Sequence, residues 1–218
     1  MKKLVPFLFI LLILSNCQET KESSPSNVFS PYNRNVGLKI SPEQSRRWID
    51  RYKQKNNSSK SEALLEVMES TFRDLLNPIN EKIGVSFHRA IDQDGGYHVL
   101  VGAVVEGQSV WNNERFLDVN TNAFITSQAA ASWATHYKDQ NPDGPWSYFF
   151  GSHVFEDRFE SIEIIEAIND DDLHLVLLSI WRTPPDATQA GRANTLQPDV
   201  YDHSVVCPPV CSSEPSNN

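Results

Sequence analysis

Six histidines, three cysteines and two short runs of aspartate are the residues of this 218-residue chain whose types could carry chemistry. His88, His98 and His136, with His153 and His174 as further members, would make a base or a metal ligand set if the fold gathered them. Their spacing does not demand it, and lone histidines on strand faces are usually surface residues. Asp92-x-Asp94-Gly95 opens like a calcium loop, but such a loop needs a bidentate Glu at its twelfth position, and Ala103 stands there. Asp92 to Gly96 therefore reads as a polar hairpin turn, and so does Asp170-Asp171-Asp172. The chain has no Gly-x-Ser-x-Gly elbow, no phosphate-binding Gly-Lys loop and no His-Glu-x-x-His pair. The expectation is a protein with no catalytic residue, no cofactor and no metal.

Cys17 carries a different chemistry. Lys2 and Lys3 precede an apolar run, Leu4 to Leu14, broken only by Pro6, and Leu14-Ser15-Asn16-Cys17 closes it. Charge, apolar stretch and cleavage point in this order make a secretory signal. The run has roughly half the 20 or so apolar residues needed to span a bilayer. The closing segment resembles the lipobox of bacterial lipoproteins, with Asn16 departing from the Gly, Ala or Ser usual before the cysteine. The resemblance implies a signal peptide over residues 1–16 and lipidation at Cys17, on the sulfur and on the new amino terminus. Each buried methylene contributes about 0.8 kcal/mol, so two or more acyl chains such as palmitate hold firmly where one is marginal. Residues 17–35 follow as a tether, rich in Ser, Asn, Glu and Pro.

With Cys17 acylated, Cys207 and Cys211 remain. They lie in a segment, 184–218, of mostly Gly, Asn, Asp, Gln, Ser and Pro, which reads as a mostly disordered tail. The oxidising compartment outside the cytoplasm favours a Cys207–Cys211 disulfide. The alternative is a metal held with His203, through a geometry that is not helical, since Pro208-Pro209 forbids a helix.

The whole chain has a formal charge of −9, and losing Lys2 and Lys3 with the signal takes the mature protein to −11. Nucleic acid, bound mainly through Lys and Arg contacts to phosphate, is excluded as a partner. The expected partners are the membrane, through lipid on Cys17, and a protein or small molecule that the sequence does not name.

A repeat organises residues 36–183. Ile40, Trp48, Tyr52, Lys53 and Asn56 recur 85 residues later as Ile125, Trp133, Tyr137, Lys138 and Asn141, and Ser41 matches Thr126. Ser41 and Thr126 suit helix N-caps, and Trp and Tyr four apart share one helical face. Leu64, Leu65, Met68, Phe72, Leu75 and Leu76 predict a second helix, with Phe149, Phe150, Val154, Phe155 and Phe159 as its counterpart. Two strands about a turn follow in each copy: Val85 and Phe87, then Tyr97 to Val105, and Ile162 to Ile168, then Leu173 to Trp181, with a shorter turn in the second copy. The expected class is α+β: two similar helix-helix-strand-strand units, about 38–106 and 123–182, forming one domain. Phe116 to Phe124 joins them as a short strand or loop.

The Ile-Ser…Trp-x-x-x-Tyr run, Asn141-Pro142, Phe150-Gly151, Gly84-Val85, Leu100-Val101-Gly102 and the closing Cys207-Pro208-Pro209-x-Cys211 resemble a group of uncharacterised bacterial lipoproteins. That group implies a fold and an address but no catalytic residue. The functional expectation is a non-enzymatic envelope lipoprotein that binds or contacts a partner, at the outer membrane or the cell surface. The alternatives are a small envelope hydrolase or a structural part of an envelope complex.

Overall fold

A computed structural model describes residues 32–56, 65–77, 81–182 and 198–202, with 205–207 as backbone alone. Cys17, His203 and Cys211 lie outside the described residues, and so do the side chain of Cys207, the signal segment and most of the predicted tether and tail.

Ser41 and Thr126 start two of the helices as expected. The Ser41 hydroxyl accepts from the Gln44 amide at 3.1 Å, ahead of α1 (Pro42–Lys55), and Thr126 accepts from Ala129 at 3.3 Å, ahead of α3 (Ser127–Gln140). Asn56 and Asn141 close them alike, each side-chain amide donating to the carbonyl of Tyr52 or Tyr137 at 3.0 and 2.9 Å. A short helix, α2 (Glu69–Leu76), buries Phe72, Leu75 and Leu76 at helical spacing.

The strands form two antiparallel sheets. In chain order they are β1 (Leu38–Ile40), β2 (Leu65–Met68), β3 (Lys82–Ile91), β4 (Tyr97–Val105), β5 (Arg115–Asp118) and β6 (Ala123–Thr126), then β7 (Ser147–Gly151), β8 (Phe159–Ile168), β9 (His174–Arg182), β10 (Asp199–Asp202) and β11 (Val205–Cys207). One sheet runs β1-β10-β9-β8-β2, the other β11-β7-β3-β4-β5-β6. α1 packs on β8 and α3 on β3. The class is α+β, with three helices and two sheets among the described residues.

The period of two along β3 explains the layering. Val85 and Phe87 face a main core shared with Ile162 and Ile164 of β8, Phe150 of β7 and Phe72 of α2. On the opposite face Ala90 joins Leu100, Phe116 and Ala130 of α3 in a second core. Each fully buried Phe or Ile contributes on the order of 1.5–3 kcal/mol.

Four expectations are corrected. Leu65 to Met68 is not the start of a helix but an edge strand on β8, because Val67 fills the main core while Glu66 and Met68 alternate outward. The Phe149-Phe150 run is likewise strand β7, buried at every position between β11 and β3; a wholly buried strand and a buried helix look alike in sequence. A 3-10 turn, Ser152–Phe155, then stands where the second helix was expected. The two hairpin turns have the same length, Asp92 bonding Gly96 as Asn169 bonds Leu173, so the second turn is not the shorter one.

Both ends of the folded part extend further than composition suggests. Tyr32 sets its ring edge-on to Phe149 at 4.8 Å and Val36 is buried, so the end of the expected tether packs on the domain. Within the expected tail, β10 bridges β1 and β9, and β11 adds to β7. The 116–124 link supplies β5 and part of β6.

Candidate functional site

Most of the groups that could do acid–base chemistry are already tied into the fold. His98, on β4, sits between two carboxylates: Nδ1 is 3.0 Å from Asp118 and Nε2 is 3.1 Å from Asp92. Asp118, 1% exposed, also accepts from the Thr121 hydroxyl at 2.6 Å. Trp133 of α3 covers the imidazole at 4.8 Å. Burial works against a charged ring here, but the bonds from Asp118 and Asp92 outweigh it and raise the pKa. The same contacts hold Asp92 below the ordinary carboxylate range, the Gly96 amide first and His98 next. His98 clamps the β3–β4 turn to β5, with both ring nitrogens occupied. Gly95 adopts φ +85° in that turn, a conformation that suits glycine.

His88 lies on the second-core face of β3, against Trp111 at 4.7 Å and Phe116 at 6.1 Å. Burial pushes its pKa down to about 3, so the ring is neutral. His153 bridges the backbone carbonyls of Arg34 and Gly37 at 2.6 and 3.1 Å. His174 faces Tyr52 at 5.9 Å, and burial followed by Arg89 lowers its pKa. His136 is exposed on α3. The five histidines are not gathered, and no three His, Cys, Asp or Glu side chains among the described residues form a metal-binding group.

The aspartate runs are turns, as read. Asp92 caps its own turn by accepting from the Asp94 and Gly96 amides at 2.9 and 2.7 Å. Asp170 and Asp172 receive α1: Arg47 reaches Asp170 at 2.9 Å, Lys55 reaches Asp172 at 2.8 Å, and Arg51 donates to the Asn169 carbonyl.

Between the sheets lies a pair that chain-order reading did not single out. Arg89 of β3 meets Glu166 of β8, their side chains 12% and 11% exposed. Tyr137 accepts a second Arg89 bond at 3.1 Å, and the Tyr148 ring lies 5.4 Å from the guanidinium. Burial opposes the Arg89 charge, yet Glu166 more than compensates and its pKa is raised; burial lifts Glu166, with Arg89 pulling it back. Burial also lifts Tyr97 and Tyr148 above the usual phenol range, so both stay neutral. The void beside the pair is ≈ 10 Å³, about the volume that holds one water, and leaves no room for a ligand.

Open space is found elsewhere: a groove of ≈ 460 Å³ runs along the outer face of α1, lined by Glu43, Arg46, Arg47, Asp50 and Arg51, all of them side chains of that one helix. A cleft of ≈ 400 Å³ lies between α2, the start of β3 and the 3-10 turn. The nearly buried Leu76 and Phe155 lie at its base, and Arg34, Arg73 and Lys82 line it together with Glu81 and Glu156. Two of the cations are held by their side chains and the third by its backbone. Arg73 is held by Glu69 at 3.2 Å and the Asp157 carbonyl at 3.2 Å, over the Phe159 ring. Lys82 donates to the Leu76 carbonyl at 3.1 Å. The backbone of Arg34 is fixed by His153 and by Gly151, where an added Cβ would lie 2.3 Å from the Arg34 carbonyl oxygen. No sequence motif marks this cleft, because its residues come from separate segments.

No protein-family model, curated protein or solved structure matches the chain. The site therefore stands on its own geometry. A volume of this size with a few convergent charges of both signs fits a small polar ligand. No helix among the described residues is long and apolar enough to cross a membrane.

Proposed function

We propose that this protein is a lipid-anchored module of the bacterial cell envelope that binds its ligand without transforming it. The cleft between α2, β3 and the 3-10 turn carries the reading: it gathers Arg34, Arg73 and Lys82 with Glu81 and Glu156 around an open volume of ≈ 400 Å³. The commitments of His98, His88 and the Arg89–Glu166 pair support the non-catalytic half, since each is held by its fold partners. The Lys-start, the apolar run and Leu14-Ser15-Asn16-Cys17 support the anchor. The test is a turnover screen of the acylated protein against ester, glycoside, peptide and phosphate substrates. Reproducible turnover that disappears on one cleft substitution would contradict the reading.

We further infer that the domain is built from two similar units. The runs β1-α1-β2-α2-β3-β4-β5 and β6-α3-β7-turn-β8-β9-β10 correspond element by element. The sheet order β1-β10-β9-β8-β2 becomes β6-β5-β4-β3-β7 when each strand is replaced by its counterpart. Each unit lends its first two strands to the other's sheet. Arg89 and Glu166 occupy the same position in the two β-hairpins, 77 residues apart, which supports a pairing of equivalent strand faces with opposite charges.

A further inference from the structure

The charges in the cleft have two signs, and they are kept apart. Besides Arg34, Arg73 and Lys82, the lining includes Glu81 and Glu156. Among the described residues neither glutamate forms an ion pair, and Arg34 forms none. Arg73 pairs with Glu69, behind it on α2, and Lys82 binds a carbonyl. Opposite charges that share a cleft without meeting leave a separation that a ligand with two ends can bridge. An anion alone would meet the glutamates unfavourably, and a cation alone would meet the arginines.

Glu81 adds a second observation. It adopts φ +59°, the left-handed region, immediately before β3. Asn122 and Asp172, the other non-glycine residues there, are of types that tolerate it in turns; a glutamate is less suited and is strained by about 1 kcal/mol or more. That backbone places an exposed carboxylate on the cleft rim.

We propose that the cleft binds a small zwitterion, with an oxyanion held by Arg34, Arg73 and Lys82 and an ammonium held by Glu81 and Glu156. A free dipeptide and a phosphoethanolamine headgroup share this chemistry, and the cleft volume admits either. The proposal rests on the reading of the cleft as the binding site.

The experiment titrates the acylated protein in detergent micelles with glycyl-leucine and with phosphoethanolamine. Inorganic phosphate, butylamine and N-acetyl-leucine amide serve as one-ended and neutral controls. The amide signals of Ser152, Glu156 and Val85 and the heat of binding are followed. Saturable binding of at least one zwitterion is expected, about tenfold or more tighter than either one-ended control. Glu156→Gln should weaken the zwitterion about tenfold and leave phosphate unchanged or tighter; Arg34→Gln should weaken both. Which zwitterion binds tighter distinguishes a peptide source from a lipid headgroup. Phosphate binding as tightly as the zwitterions, at the same amides, would overturn the zwitterion class while the cleft remains the binding site. No probe moving those amides would overturn both. Cleavage of glycyl-leucine would keep the recognition and overturn the non-catalytic reading.

Discussion

Replacing His88 with Phe should remove a large part of the protein's acid sensitivity. The ring is buried, stacks on Trp111 and Phe116, and has its pKa lowered to about 3. An unfolded histidine titrates near 6.5. Between these values the unfolded chain holds a proton that the folded chain does not, so stability falls as pH falls from about 6.5 toward 3. At one pKa unit per 1.36 kcal/mol, the unfolded ring gains roughly 0.4 kcal/mol from protonation at pH 6.5 and roughly 2.7 at pH 4.5. The difference, about 2.3 kcal/mol, is the loss attributable to this residue. Phenylalanine keeps the aromatic contacts and cannot titrate. Urea unfolding of both proteins at pH 6.5 and 4.5 measures the effect. The wild type should lose about 2 kcal/mol more than His88→Phe over that interval. An equal loss in both, within about 0.5 kcal/mol, would refute the buried neutral histidine.

His98 should act in the opposite direction: its pKa is raised, so its contribution is full below about pH 6.5 and is lost as pH rises through the raised value, and His98→Gln should flatten that alkaline decline in urea unfolding. Arg89→Leu, which strands Glu166 between the sheets, should cost about 3–5 kcal/mol, and Arg89→Leu with Glu166→Leu much less, both read from denaturant midpoints at constant slope. If the two units are equivalent, residues 31–120 should pair with a second copy only when one copy carries Arg89→Glu, because two wild-type halves would oppose Arg89 with Arg89. Equal sedimentation of the mixed and unmixed halves would count against equivalence.

Helices α1 and α3 were legible because their signals are local. Ser41, Thr126, Asn56 and Asn141 bond within four residues of themselves, and the sequence shows both partners. The long hairpins β3–β4 and β8–β9 were legible from alternation and turn residues. β2 and β7 were not, because strand or helix there was decided by a distant neighbour: Leu65 lies opposite Ile164, and Phe150 opposite Val85. The same cause hid the end strands, since Val200 is buried only through its place between β1 and β9. Of the candidate site, the histidines were visible and their partners were not, apart from Asp92 six residues from His98. One signal for the inter-sheet pair was present: both hairpins carry Ala-Ile at the end of their first strand, Ala90-Ile91 and Ala167-Ile168, and the residues just before, Arg89 and Glu166, have opposite charge.

The proposed anchor would decide where the cleft works, so the mass of the mature amino terminus tests the proposed function most directly. The protein is expressed in a bacterial host, extracted from membranes in detergent, and its N-terminal peptide is weighed. The account predicts a peptide that begins at Cys17 and carries diacylglycerol on the sulfur, with Cys17→Ala uncut or released in soluble form. An unmodified terminus at any other residue would contradict it.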